Sequence, residues 1–152
     1  MRLLNKLFSS EKDIAPLVVF RIFFGLLLFF STARFMYKDW IYELYVRPTY
    51  FFTYYGFDWV TPLGESGMNF IFILLLFSSL LITFGGLYRI ATITYFCLFT
   101  YVELIDKTNY LNHYYFVSII CLLLIFVPAH RYFSLDIIRK PNLKRTHAPN
   151  WL

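Results

Sequence analysis

The sequence predicts an all-α membrane protein, a bundle of four transmembrane helices with interfacial aromatic helices between spans one and two. Three observations predict this fold class. Of the 152 residues, 59% are apolar and only 15% are charged, whereas ordinary soluble domains have about 25% charged residues. The apolar residues concentrate in four runs. The chain also holds 19 Phe and 13 Tyr, side chains that suit lipid contact and the headgroup boundary.

The four apolar runs are predicted to be helices, because hydrocarbon offers the backbone no hydrogen-bond partners. Spans are expected at about residues 14–35, 67–86, 90–105 and 114–128. The second run contains no charged residue and is the clearest span by length. The third and fourth are shorter than the roughly 20 residues that a span needs, and flanking tyrosines are expected to extend them into the interface.

Three local signals mark the ends of these runs. Pro16 lies near the start of the first run, where a missing N–H costs little. Gly85 and Gly86 are expected to stop the second run, since glycine readily adopts the left-handed cap conformation. Pro128 is expected to end the fourth run.

The segment 38–65 differs from the runs on both sides of it. Tyrosines and tryptophans are interleaved there with Glu43, Arg47, Pro48 and Asp58. The segment is too charged to span a bilayer and too aromatic to be a plain solvated loop. We therefore predict short helices that lie at the membrane surface.

The basic residues predict the orientation of the chain, whose net charge is +5. One side of the predicted spans holds Arg2, Lys6, Lys12, Arg89, Arg131, Arg139, Lys140, Lys144 and Arg145. The other side holds Lys38, Arg47 and Lys107, with Arg34 near its edge. The positive-inside rule then places both termini in the cytoplasm. We expect a multi-pass integral membrane protein of the bacterial plasma membrane, because cysteine is sparse and the extramembrane portion is short. The charge fits topology and contact with the lipid bilayer, and nucleic acid is not an expected partner.

The densest polar cluster of the apolar region joins the third and fourth runs. It contains Glu103, Asp106, Lys107, Asn112 and His113. Ionisable groups at membrane depth cost roughly 2.5–3.5 kcal/mol each and tend to be paired or functional. One interpretation is a polar turn with an Asp106–Lys107 surface pair, an Asn112 cap and a solvated His113. The other is a catalytic site in which His113 accepts or donates a proton.

Three further charges are candidates for binding or structural roles. Arg21 lies inside the first run, where it either snorkels to the headgroups or faces inward to a carboxylate or a ligand oxygen. Arg89 is either a topology charge or a partner for Asp136, and Arg131 is an equally good partner for that carboxylate. No metal site is expected, because neither cysteine has a second Cys or His at ligand spacing.

Several short stretches keep a recognisable order and spacing from the second run onward. They are Gly86-Leu87-Tyr88-Arg89, Leu104-Ile105-Asp106-Lys107-Thr108, Asn112-His113-Tyr114-Tyr115, Ser134-Leu135-Asp136 and His147-Ala148-Pro149-Asn150-Trp151. In these stretches the chain resembles the N-terminal membrane region of the vitamin K-dependent γ-glutamyl carboxylase family, also called the horizontally transferred transmembrane domain family.

The resemblance implies an activity and a cofactor. The family's enzymes convert a vitamin K hydroquinone to its epoxide, and the strong base so generated removes a γ-proton from a protein glutamate, which then takes up CO2. His113 would assist at the active centre and Asn112 would orient it. The expected cofactor is vitamin K hydroquinone or a related quinone.

The resemblance also implies a larger assembly. The family's initiating lysine lies in a further membrane segment after the stretch that ends in Trp151. Residues 1–152 are therefore expected to form a single membrane domain, the N-terminal part of a carboxylase-like bundle that meets the rest of that bundle or a partner subunit. The alternative is a non-enzymatic four-helix membrane module of the DoxX type that binds lipid, quinone or a partner subunit. The cluster around Asp106 and His113 favours the first reading, since a plain scaffold has no need for it.

Overall fold

The computed structural model describes residues 11–144 and 147–149. Four long helices account for most of this chain. They are α1 (Ala15–Tyr37), α2 (Gly64–Phe84), α3 (Tyr88–Ile105) and α4 (Asn112–Phe126), and a short α5 (Leu135–Arg139) follows them. The predicted helical character of the four apolar runs is confirmed.

The three local signals lie where the sequence placed them. Pro16 is in the first turn of α1. Gly85 caps α2 with a φ of 66°, in the left-handed region, and the Gly86 N–H donates to the Leu81 carbonyl at 2.9 Å. The last α4 residue, Phe126, is followed by an extended Val127, as expected of the residue before Pro128.

Two of the helices are long and apolar enough to cross a membrane. α1 has 23 residues and α2 has 21, which correspond to about 35 and 32 Å against a hydrocarbon core of about 30 Å. The 18 residues of α3 include Arg89 and Glu103, and α4 has only 15 residues. Length and composition therefore support a crossing for α1 and α2.

The long helices pack in chain order, α1 on α2, α2 on α3 and α3 on α4. The two helices approach closely at Gly25 of α1, where an added Cβ would lie 2.8 Å from the backbone N of Thr83 in α2. The core between the helices includes Leu28, Met68 and Tyr95. The opposite face of α1 is apolar and exposed, as expected of a surface that meets lipid or further protein.

The segment between α1 and α2 is less helical than predicted. It contains one short π-helical turn, Tyr42–Val46, and the chain from Pro48 to Leu63 is irregular. Pro48, and Gly56 with a φ of 83°, interrupt helical backbone there. Tyr45 is buried and packs against Phe72 with ring centroids 6.2 Å apart. Tyr45 thus anchors the segment on α2, whereas Tyr50, Tyr55 and Trp59 are exposed.

At the other end of the helices, two short strands form a ribbon that the all-α prediction missed. β1 (Glu11–Asp13) pairs antiparallel with β2 (His147–Pro149), with Lys12 opposite Ala148. Three-residue strands are too short to show an alternating pattern in the sequence. The ribbon places the segment before α1 beside the segment after α5.

Candidate functional site

The charged candidate residues lie toward the two ends of the helical array. The aromatic end consists of segment 38–63 and the α3–α4 loop, 106–111, and the Lys107 N–H joins them by donating to the Phe52 carbonyl at 2.9 Å. The ribbon end consists of the strand pair, the α2–α3 turn and the chain from Pro128 to α5.

In the loop of the aromatic end, Asp106 has a local structural role. Its Oδ1 accepts hydrogen bonds from the Thr108 N–H at 2.9 Å and the Thr108 hydroxyl at 2.8 Å. These bonds cap the short 3-10 turn Lys107–Asn109. Within the described residues no ion pair joins Asp106 to the exposed Lys107, so the surface pair of the first interpretation is not formed.

Asn112 and His113 occupy the first turn of α4, and both are exposed. The N-cap position belongs to Leu111 and has no side-chain hydrogen bond, so Asn112 is not the cap. The His113 ring meets the edge of Tyr114 with centroids 4.5 Å apart. No hydrogen bond between the Asn112 and His113 side chains is present in the described structure. The two groups are therefore free to contact a ligand or a further segment of protein.

A pocket of about 450 Å³ lies between α3 and α4 beside this turn. Its walls are mostly apolar, and its polar groups come from Glu103, Thr100, Ser118 and the phenols of Tyr54, Tyr110 and Tyr115. The volume falls in the range of about 300–1,000 Å³ that is typical of small-molecule sites. Tyr110 and Tyr115 flank His113 in the sequence, so the predicted catalytic turn adjoins the pocket.

The polar groups of the pocket include hydrogen-bond donors and acceptors that a small ligand can use. The Thr100 hydroxyl oxygen is buried and has no hydrogen-bond partner in the described protein. Burial raises the pKa of the Tyr54 phenol, and the Glu103 carboxylate raises it further, so this phenol remains a neutral donor. A quinone or hydroquinone needs apolar walls and a few polar groups of this kind.

At the ribbon end, Arg21 is fully buried and faces inward. Its Nη1 donates to the Ala129 carbonyl at 3.0 Å and its Nη2 donates to the Phe133 carbonyl at 2.7 Å. Arg21 Nε has no partner within the described residues. The guanidinium thus links α1 to the chain that follows α4, and it does not snorkel to the surface.

Asp136 binds backbone N–H groups at the start of α3. Its Oδ1 accepts from Leu87 N at 2.8 Å and its Oδ2 from Tyr88 N at 3.0 Å. In return, the Asp136 N–H donates to the Gly85 carbonyl at 3.0 Å. Arg89 is exposed, and in the described part of the chain it makes no ion pair with Asp136. The carboxylate supplies the acceptors that the first turn of a helix lacks.

Two buried rings at the ribbon end, Tyr88 and His130, were not predicted to have a role of their own. The Tyr88 hydroxyl donates to the Leu124 carbonyl at 3.1 Å, and the Tyr88 ring stacks on His130 with centroids 5.1 Å apart. Burial lowers the pKa of His130. The sequence feature that could have drawn attention to Tyr88 is its position between the cap glycines, Gly85 and Gly86, and Arg89.

The predicted site residues therefore form two groups. Asp106, Lys107, Asn112 and His113 lie at the aromatic end. Arg21, Arg89 and Asp136 lie at the ribbon end, where Arg21 and Asp136 hold helices and turns together. The pocket with Glu103 belongs to the first group, and the candidate functional site is thus the aromatic end.

Comparison with known proteins agrees with this structure. No solved structure matches the chain. The HTTM domain family matches residues 9–152, a stretch that includes every candidate site residue. HTTM-domain proteins are membrane-associated, in agreement with the two helices that are long and apolar enough to cross a bilayer. The chain belongs to the HTTM domain family, the domain of the vitamin K-dependent carboxylases.

Proposed function

We propose that this chain forms the quinone-binding membrane region of a vitamin K-dependent carboxylase-like protein. The observation on which the proposal rests is the pocket of about 450 Å³ between α3 and α4, next to the turn with Asn112 and His113. Its apolar walls suit a naphthoquinone ring, and its hydroxyl, phenol and carboxylate groups suit the two ring oxygens.

In this proposal, some residues of the aromatic end bind the ligand and others transfer protons. When bound, vitamin K hydroquinone together with oxygen would supply the base that removes a γ-proton from a glutamate side chain. The pocket walls hold the ring and exclude water from it. His113, exposed on the first turn of α4, moves a proton at the rim through its imidazole nitrogens. The exposed Asn112 amide beside it offers a hydrogen-bonding group to the ligand or to a neighbouring segment of protein.

The membrane arrangement in this proposal has four crossings, α1 to α4, with both termini in the cytoplasm of a bacterial cell. The ribbon supports an even number of crossings, because it pairs the segments that precede α1 and follow α5. The charge distribution supports the orientation, since Arg89, Arg139, Lys140 and Lys144 lie at the ribbon end.

The exposed faces of the outer helices support a larger assembly. On α1, Phe23 and Phe30 are exposed, and on α4 the same is true of Phe116 and Leu123. Lipid covers such faces in a membrane, and so would the rest of a carboxylase-like bundle or a partner subunit. Residues 1–152 would then be one membrane domain of that assembly.

Photolabelling tests the quinone site. The full chain in lipid nanodiscs is irradiated with a photoreactive naphthoquinone, and the adduct is located by mass spectrometry. We expect labelling on α3 and α4 around Thr100 and Ser118. Ser118→Phe fills the pocket and should abolish that labelling, whereas Ser66→Phe, at an exposed position in the first turn of α2, should not.

An activity measurement tests the chemistry. Membranes that contain the full-length protein are given vitamin K hydroquinone, oxygen, bicarbonate and a glutamate-containing peptide, and epoxide and carboxylated peptide are quantified. Full activity in a His113→Ala variant would remove His113 from the mechanism. Quinone labelling without epoxide formation would instead support the non-enzymatic membrane module.

A further inference from the structure

We propose that Glu103 makes the α3–α4 pocket selective for a hydroquinone over the corresponding quinone. The inference rests on the proposed function, since it concerns the ligand of the same pocket. It assigns to Glu103 the role of a specificity-determining residue that contacts a ring hydroxyl.

The position of Glu103 is the first observation. The residue lies in the last turn of α3 and is half-buried. It lines the pocket of about 450 Å³ on one side and a small cavity of about 40 Å³ on the other, where Thr32 and Tyr95 are among its neighbours. The carboxylate therefore forms part of the wall between the helical core and the pocket.

The second observation is that Glu103 has no bonded partner. In the described part of the chain, no hydrogen bond or ion pair ends on the carboxylate of this half-buried residue, so its oxygens can still accept hydrogen bonds. Four phenols lie close enough to interact with its charge, those of Tyr45, Tyr54, Tyr95 and Tyr114. Glu103 thus brings an acceptor without a bonded partner to the lining of the pocket.

Hydrogen-bond chemistry then distinguishes the two redox forms of a ligand. An ionised carboxylate can only accept. A hydroquinone has two hydroxyl donors, and one of them can form a charge-assisted bond with Glu103. A quinone has two carbonyl oxygens and no donor, so the same carboxylate faces an acceptor. Glu103 should therefore favour the reduced form, which is the form that the proposed reaction consumes.

The experiment compares the affinities of the two redox forms. The full chain in lipid nanodiscs is titrated without oxygen at mildly alkaline pH with a dimethyl naphthohydroquinone and with its quinone. Methyl groups on both open ring carbons prevent addition to the exposed Cys97. We expect the wild type to bind the hydroquinone about tenfold more tightly or better, as a charge-assisted hydrogen bond predicts.

Variants separate Glu103 from the pocket as a whole. In Glu103→Gln the amide can both donate and accept, so the ratio of the two affinities should fall to within about twofold. Glu103→Asp keeps the charge and should keep a preference for the hydroquinone. Glu65→Gln is the matched control, because Glu65 is exposed at the start of α2, and it should keep the wild-type ratio.

The outcomes distinguish this inference from the proposed function. Equal affinities in the wild type, or an unchanged ratio in Glu103→Gln, would overturn the role of Glu103 and leave the quinone pocket intact. Unchanged binding of both forms by Ser118→Phe would show that the ligand lies elsewhere, which would overturn the pocket assignment and this inference together.

Discussion

At the scale of single residues, Arg21 illustrates how an apolar helix accommodates a positive charge. A guanidinium has five N–H donors and no acceptor, and the chain after Pro128 offers carbonyl groups that no helix uses. The Ala129 and Phe133 carbonyls accept two of these hydrogen bonds. Phe133 has a φ of 46°, a costly conformation for a bulky residue, and it directs its carbonyl to Arg21. The charge thus serves to anchor this turn against α1.

Replacement of Arg21 should weaken that anchor. Arg21→Met fills similar space but leaves the Ala129 and Phe133 carbonyls without their donors, so we expect a loss of about 2 kcal/mol in the free energy of unfolding. Denaturation in detergent, followed by circular dichroism, measures this loss.

Arg34→Met is the matched control in the same helix. Arg34 lies 5.5 Å over the Trp40 ring, an exposed contact worth about 0.5–1 kcal/mol. Wild-type stability in Arg21→Met would show that burial of the charge costs as much as its bonds return.

His130 gives the ribbon end a dependence on pH. Burial lowers the pKa of His130, and the charges of Arg89, Arg131 and Arg21 lower it further against the opposing effect of Asp136. The folded protein therefore binds this proton less readily than the unfolded chain does, so stability rises with pH. The stabilisation is complete above the ordinary histidine pKa of about 6.5 and is lost as the pH falls through the lowered value.

The expected result is a fall in Tm as a detergent-solubilised sample is acidified from about pH 7.5 to 5. His130→Phe keeps an aromatic ring against Tyr88 but cannot take up a proton. Its Tm should fall less over the same interval. Identical falls in the two proteins would mean that His130 does not contribute to the acid sensitivity.

At the scale of helices and strands, local sequence signals determine where the long helices end, whereas tertiary contacts determine the π-helical turn and the β1–β2 ribbon. Pro16 and Gly85 act through backbone geometry within one turn, so their effect was visible in the sequence. The π-helical turn Tyr42–Val46 packs Tyr45 against Phe72 of α2, and the β1–β2 ribbon joins segments more than a hundred residues apart. Both the π-helical turn and the ribbon depend on contacts between distant parts of the chain, so no local sequence pattern predicts them.

The contact between α1 and α2 should be intolerant of a single methyl group. A Cβ at Gly25 would lie 2.8 Å from Thr83 N and 2.9 Å from Thr83 Cα. Gly25→Ala should therefore reduce stability by about 2 kcal/mol, since the helices must separate. Adding Thr83→Ala removes the hydroxyl that would lie nearest to the new methyl group but leaves the two backbone atoms in place, so it should restore stability only in part. Ser31→Ala, at an exposed position of α1, should change stability by less than about 0.5 kcal/mol. Wild-type stability in Gly25→Ala would mean that the helices are not this close.

At the scale of the whole molecule, the predicted site residues proved to belong to opposite ends. The sequence identified the charged residues by type, but it could not show that Arg21 binds a carbonyl 108 residues away. It also named Glu103 only as part of a polar cluster, because the pocket exists only where α3 packs on α4. Residue chemistry was thus readable from the sequence, whereas the division of these residues between the ribbon end and the aromatic end was not.

That division predicts which end faces which compartment. In a chain with Cys97→Ser and Cys121→Ala, Lys107→Cys reports on the aromatic end and Lys140→Cys on the ribbon end; both lysines are exposed. In intact bacterial cells, a maleimide that cannot cross membranes should label Lys107→Cys, and it should label Lys140→Cys only after the membrane is opened. The reason is the excess of basic residues at the ribbon end, which resists translocation. Labelling of Lys140→Cys alone in intact cells would reverse the orientation. Labelling of both positions in intact cells would place the two ends of α4 on the same side of the membrane. That result would contradict the four crossings, because α4 must cross the membrane to bring the chain back to β1, with which β2 pairs.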